Sequence, residues 1–270
     1  MQSELSNQFS SSHGTVRYGV TGQGEPLVLV HGTPWSSFNW RKIIPALSNW
    51  FTVYYYDLPG YGQSEKSSGD VSLGIQNIVL KELIDFWGLN SPKVLGHDFG
   101  GATVLRAHLL SGQSFHKIML VDPVAVSPWG SPFFAHVASH EAAFTGLPAY
   151  IHDAVLEAYI NGATYTPMDK ETAEGIKSAW IGAESQPAFY RQIAQSDRKY
   201  TDEVEPMYGS ISVPVCLIWG EDDQWIPLER GKQLHSMIPS SEFVTFKECG
   251  HLVQEDQPAQ LVSHILRFML

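Results

Sequence analysis

Lys93-Val94-Leu95-Gly96-His97-Asp98-Phe99-Gly100-Gly101-Ala102 is the stretch on which the fold turns. Its first four residues read as a short buried strand, and Ala102 to Leu110 read as a helix with few polar positions. Only a tight turn separates the two. Asp98 stands in that turn with Gly96, Gly100 and Gly101 around it. Glycine removes the Cβ clashes that strained turn geometry would otherwise create. The new helix also directs its free N–H groups and the positive end of its dipole at whatever the turn presents. An ordinary N-cap aspartate looks the same in isolation, so the surroundings must separate a cap from a reactive carboxylate.

Outward from that turn, strand and helix signals alternate. Leu27 to Val30 reads as a buried strand ending in His31-Gly32, and Phe51 to Tyr56 as another, closed by the turn Asp57-Leu58-Pro59-Gly60. Ser72 to Trp87 carries a mostly apolar helical face, and Lys117 to Val121 is a further strand. The rhythm stops near Pro123 and resumes with a strand at Val213 to Trp219. A helix around Leu228 to Met237, a strand at Phe243 to Phe246 and a last helix from Ala259 to Phe268 complete it. Such alternation predicts an α/β fold, a mostly parallel sheet covered by helices on both faces. The intervening segment is broken by Pro128, Pro132, Pro148, Pro167 and Pro187 and is rich in aromatics. We therefore expect a core made of residues 1–125 and 206–270, interrupted by a helical lid over 126–205.

Composition narrows the function classes. The chain has 270 residues, 43% hydrophobic and 17% charged, enough to bury a large core. With 28 acidic against 17 basic residues its formal net charge is -11, which disfavours nucleic acid and anionic lipid as partners. Met1 to Gly14 is polar and lacks the pattern of a signal peptide. No stretch approaches the roughly 20 apolar residues of a membrane span, so a cytoplasmic protein without a membrane partner is expected. The 2 cysteines, Cys216 and Cys249, form no metal or disulfide motif, and no phosphate-cradling loop appears. No cofactor and no metal are expected. Oligomeric state is not legible.

Other loops supply companions for Asp98. Gly220-Glu221-Asp222-Asp223 follows the strand that ends at Trp219, and its spacing to Gly220 and Pro227 favours Asp223 as an acid over its neighbours. Asp122, after the preceding strand, is a weaker alternative. Among 11 histidines, His251 follows a glycine in the loop after the last strand and is the preferred base. His31, His97, His108 and His116 are read as structural.

Nucleophile, acid and histidine in this order resemble the α/β-hydrolase superfamily, over nearly the whole chain. The aspartate at the nucleophile position, together with Asp57-Leu58-Pro59-Gly60-Tyr61-Gly62-Gln63-Ser64, is similar to the epoxide hydrolase and haloalkane dehalogenase branch. The resemblance implies a nucleophilic Asp98 served by His251 and Asp223, with an oxyanion hole of two backbone N–H groups, from Thr33 and Phe99. A carboxylate needs no base for its first attack. It would open an sp³ carbon to an alkyl ester, which water activated by His251 then hydrolyses. Ordinary ester or amide chemistry suits this scheme poorly, because acyl attack by aspartate gives a labile anhydride.

The resemblance also frames the choice of leaving group. A dehalogenase holds its halide with side-chain N–H donors, commonly a Trp directly after the nucleophile and an Asn in the His-Gly loop or a lid Trp. Phe99 and Thr33 offer no such donor, and Trp129 or Trp180 would have to supply it from the lid. An epoxide hydrolase normally uses two lid tyrosines. Phe189-Tyr190-Arg191 resembles the motif that carries one, with Tyr159 and Tyr150 as candidates for the second and Tyr165 behind them. The reading is an epoxide hydrolase for a small or medium apolar substrate. Haloalkane dehalogenase is the alternative. An esterase-like hydrolase, or a ligand-binding or oxygenase member of the fold, also stays open.

Overall fold

The computed structural model describes residues 5–66 and 69–270. Residues 1–4, the start of the polar stretch Met1 to Gly14, lie outside the described residues. Eight strands form one sheet in the order β1-β2-β4-β3-β5-β6-β7-β8. They are β1 (Asn7–Ser11), β2 (Gly14–Gly22), β3 (Glu25–Val30), β4 (Phe51–Tyr56), β5 (Lys93–His97), β6 (Ile118–Val121), β7 (Val215–Gly220) and β8 (Ser241–Phe246). The six strands from β3 to β8 run parallel, and β1 and β2 add an antiparallel edge. The first two strands are absent from the sequence reading above. Apart from Val16 and Gly19 their residues are half-buried or exposed, so alternation there is diluted by polar side chains on both faces.

The central strands β5, β6 and β7 are buried at every position because both faces are covered. Along β3, Val28 and Val30 pack on one side with helix α1 (Leu73–Phe86) and helix α2 (Phe99–Leu109). Leu27 and Leu29 point to the other side, where Leu261 and Ile265 of the C-terminal helix cover them. The two-residue period of a strand sorts one continuous apolar run into two cores.

Between β6 and β7 the described chain is helical, with α3 (Pro132–Thr145), α4 (Ala149–Ile160), α5 (Lys170–Lys177) and α6 (Ser185–Ala194). Helix α7 (Leu228–Met237) and the C-terminal helix α8 (Pro258–Met269) return to the sheet. Among the described residues no helix is long and apolar enough to cross a membrane.

The β5–α2 junction depends on a close approach. A Cβ built on Gly100 would lie 2.0 Å from the Val30 carbonyl oxygen. Gly100→Ala must therefore push α2 off β3, and overpacking of this kind costs about 1–3 kcal/mol. Urea unfolding of the variant should show that loss; a wild-type midpoint would contradict the contact.

Candidate active site

Asp98 follows β5 with φ 52° and ψ -120°. This left-handed region is costly for a residue with a side chain, by about 1–3 kcal/mol. The conformation makes Asp98 the N-cap of α2 without using its carboxylate for capping. The carboxylate projects instead into a cavity of about 310 Å³. Two donors face it. The Thr33 N–H donates to Oδ2 at 2.6 Å, and Gly32 makes this possible, since a Cβ there would sit 2.3 Å from the same oxygen. The Phe99 N–H is the first of α2 and has no carbonyl one turn earlier to bond.

His251 lies in the loop after β8 and is fully buried. Its Nδ1–H donates to Asp223 Oδ2 at 2.8 Å, while Nε2 faces Asp98 Oδ1 at 3.5 Å, a charge contact longer than a hydrogen bond. Asp223 is held in turn. Its Oδ1 accepts the backbone N–H groups of Trp225 at 2.7 Å and Ile226 at 2.9 Å. Burial acts to lower His251, but the charge and hydrogen bond of Asp223 and the nearby Asp98 carboxylate outweigh it and hold the ring well above the usual histidine range. The three side chains chosen from sequence thus come together at the carboxyl ends of β5, β7 and β8, as the connections of an open α/β sheet dictate.

The neighbours hold this arrangement without joining it. His97 donates from Nε2 to the His251 carbonyl at 2.9 Å, and burial keeps it neutral. His31 bonds the Gly32 carbonyl through Nδ1 and accepts the Leu58 N–H at Nε2, 2.8 and 2.9 Å, tying together the loops after β3 and β4. Asp122 accepts the Gly220 N–H at 3.0 Å and is not hydrogen-bonded to His251. Burial and then the Asp223 charge push it well above the usual carboxylate range. Its bond reaches across to β7.

The cavity wall is mostly aromatic and aliphatic, with Phe99, Val124, Trp129, Phe134, Tyr159, Trp225 and Ile226 beside Asp98 and Thr33. Tyr159 is there as expected. Its hydroxyl makes no hydrogen bond to a described residue, and burial followed by the Asp98 charge raises it well above the ordinary phenol value. It keeps its proton and can donate.

Three expected lid roles need correction. Tyr190 does not line the cavity: its hydroxyl pairs with His152 Nδ1 at 2.9 Å inside the lid, and burial pushes it up to about 12. Trp180 is also outside the lining, its indole N–H donated to the Pro34 carbonyl at 2.6 Å. Trp129 lines the cavity, but its N–H goes to Thr201 Oγ1 at 2.7 Å. Neither indole is left to hold a halide. Tyr150 and Tyr165, the reserve tyrosines, are 74% and 50% exposed. For Tyr190, Trp180 and Trp129 an acceptor distant in sequence claims the polar tip, which no local pattern reveals.

Sequence reasoning missed Trp225. Its indole stacks on His251, with ring centroids 5.0 Å apart and planes at 26°, and on Tyr159 at 4.7 Å and 28°. Its place two residues after the acid was the available signal.

The model of the alpha/beta hydrolase family matches residues 27–264. The chain belongs to that family. This alpha/beta hydrolase is 47% identical to an alpha/beta hydrolase fold protein from Burkholderia ambifaria, whose crystal structure superposes with a TM-score of 0.96 over 99% of both chains. It is 29% identical to an uncharacterized hydrolase of Bacillus subtilis (strain 168) over 91% of this chain and 90% of that one. It is 25% identical to a soluble epoxide hydrolase of Corynebacterium sp. (strain C12), over 99% of this chain and 98% of the relative.

The hydrolase's charge arrangement has a measurable consequence. Asp98→Asn removes one of the two carboxylates facing His251. Its imidazolium should then titrate lower by about 1–3 units, the usual effect of an adjacent charge. Ring-nitrogen NMR titration of both proteins reads this directly. An unmoved midpoint would mean that the Asp98 charge does not reach the ring.

Proposed function

We propose that this alpha/beta hydrolase opens epoxides through a covalent ester on Asp98. The observation that supports it most is the pairing, on one apolar cavity wall, of the Asp98 carboxylate with the unbonded Tyr159 hydroxyl. Thr33 holds Oδ2, so Oδ1 is the oxygen free to attack. Oδ1 displaces the ring oxygen from one epoxide carbon; Tyr159 gives its proton to the resulting alkoxide and regains one from the His251 imidazolium, which becomes neutral. Asp98 becomes a neutral ester whose carbonyl oxygen, Oδ2, already lies on the Thr33 N–H.

Loss of the Asp98 charge leaves His251 beside Asp223, and the ring releases its proton more readily. Neutral His251 then takes a proton from water, and the hydroxide adds to the ester carbon. The oxyanion forms on Oδ2 against the Thr33 and Phe99 N–H groups. Collapse breaks the bond between the ester carbon and Oδ1, expels the diol with that oxygen, and restores the carboxylate and the imidazolium. Both reserve indoles being bonded elsewhere weighs against halide release, and a neutral wall with Asp98 as its charged group favours a small or medium apolar substrate. We place the enzyme in the cytoplasm, with residues 126–205 acting as the lid.

A panel of epoxides, haloalkanes and aryl esters assayed against wild type and Asp98→Asn tests the reaction class. Diols should form from epoxides with wild type alone. His251→Gln should accumulate an ester on Asp98, seen as an intact-mass increase equal to the substrate. In labelled water, a single wild-type turnover should place the label in Asp98 rather than in the diol. Label appearing in the diol instead would make Asp98 a general base and overturn the covalent step.

Tyr159→Phe separates the two halves of the cycle. Alkylation should slow by about 10²-fold, the lower range for a positioned proton donor, while ester hydrolysis keeps its rate. Stopped-flow and single-turnover measurements resolve both. Unchanged alkylation would remove Tyr159 from the mechanism.

A further inference from the structure

The lid helix α6 reaches the oxyanion loop through one side chain, Gln192, which is 2% exposed. Its Oε1 accepts the Thr33 Oγ1–H at 2.5 Å and the Tyr61 O–H at 3.0 Å. A carbonyl oxygen has two lone pairs, and both are engaged. One amide therefore joins the loop after β3, the loop after β4 and the lid. Trp180, also from the lid segment, adds its N–H to Pro34, the next residue of the same loop.

The other end of that amide is unusual. Gln192 Nε2 is buried and makes no hydrogen bond to a described residue. A methionine would fill similar volume without leaving two N–H groups unsatisfied, so packing does not explain a glutamine here. Its acceptor end does. Thr33 carries the N–H that holds Asp98 Oδ2, and its hydroxyl donates to Gln192 with the Tyr61 hydroxyl beside it.

We infer that Gln192 is a positioning residue for the oxyanion hole, by which the lid sets where the Thr33 N–H points. This rests on the covalent-ester reading above. It predicts an asymmetric effect on the two half-reactions. In alkylation Asp98 loses charge, so the Thr33 N–H gains nothing on the way to that transition state. In ester hydrolysis full charge develops on Oδ2, and the alignment of the donor governs the rate.

The test is a double-mutant cycle with both half-reactions resolved. Deleting an oxyanion donor costs about 10²–10³ in rate, and displacing one costs less. Gln192→Met should slow ester hydrolysis by about 10-fold and change alkylation by less than about threefold, estimates scaled from that range. Ester then accumulates at steady state, so kcat falls while kcat/KM holds and KM falls with kcat. Thr33→Val, which keeps the backbone N–H but removes the partner hydroxyl, should reproduce this pattern. The double variant should be no slower than either single one, because both break the same link. Equal slowing of both half-reactions, no slowing, or losses that multiply would each overturn the assignment. His251→Gln separates it from its foundation. If that variant forms the ester while Gln192→Met hydrolyses at the wild-type rate, the Gln192 role alone is wrong. If it forms none, the covalent reading fails.

Discussion

The backbone of Asp98 is held in a left-handed conformation by the contact of α2 with β3, and the rest of the site is arranged around that fact. A helix that starts so close to the preceding strand must cross the Val30 carbonyl, and a glycine at position 100 is what lets it pass. The turn between them is then too short for a relaxed aspartate, whose φ of 52° is the result. Strain of this kind persists only where the surroundings over-determine it. Here they do, since β5 lies between two parallel neighbours and α2 packs into the core. The strain turns the carboxylate away from the N–H groups it would ordinarily cap and toward the cavity.

Electrostatics completes what the backbone begins. Five ionisable side chains, Asp98, Asp122, Asp223, His97 and His251, are each buried within a few residues of the strand ends. They do not all carry charge. Burial keeps His97 neutral, and burial with the Asp223 charge pushes Asp122 well above the usual carboxylate range. His251 is raised in the sense that keeps its charge, by the two carboxylates that face it. His97 and Asp122 hold the backbone of the loops, His97 at the His251 carbonyl and Asp122 at the Gly220 N–H. A fixed frame around one cation between two carboxylates avoids the large cost of unpaired buried charge.

The helical segment between β6 and β7 also braces the site. Its polar tips are committed inward: Tyr190 to His152, Trp180 to Pro34, Gln192 to Thr33 and Tyr61. Those bonds decide which lid residues present a polar group to the cavity and which brace the walls. Tyr159 remains in the cavity wall, held from one side by the Trp225 ring that also covers His251.

The parallel strands, both flanking helices of the elbow and the positions of Asp98, Asp223 and His251 were legible because each depends on a local signal. Apolar runs of strand length, glycines at a strand-to-helix turn, and a polar residue at a strand end are written in consecutive residues. The antiparallel edge β1–β2 was not, because half-exposed strands carry mixed side chains on both faces. Nor were the roles of the lid aromatics or of Gln192. The sequence by itself determined the fold and which loops meet at the sheet edge. Only the tertiary structure decided which hydroxyl and amide groups are used up, since Tyr190 is 38 residues from His152 and Thr33 is 159 from Gln192. A hydrogen bond acts over about 3 Å, so the partner of each polar tip is set by which distant segments the fold brings within that reach.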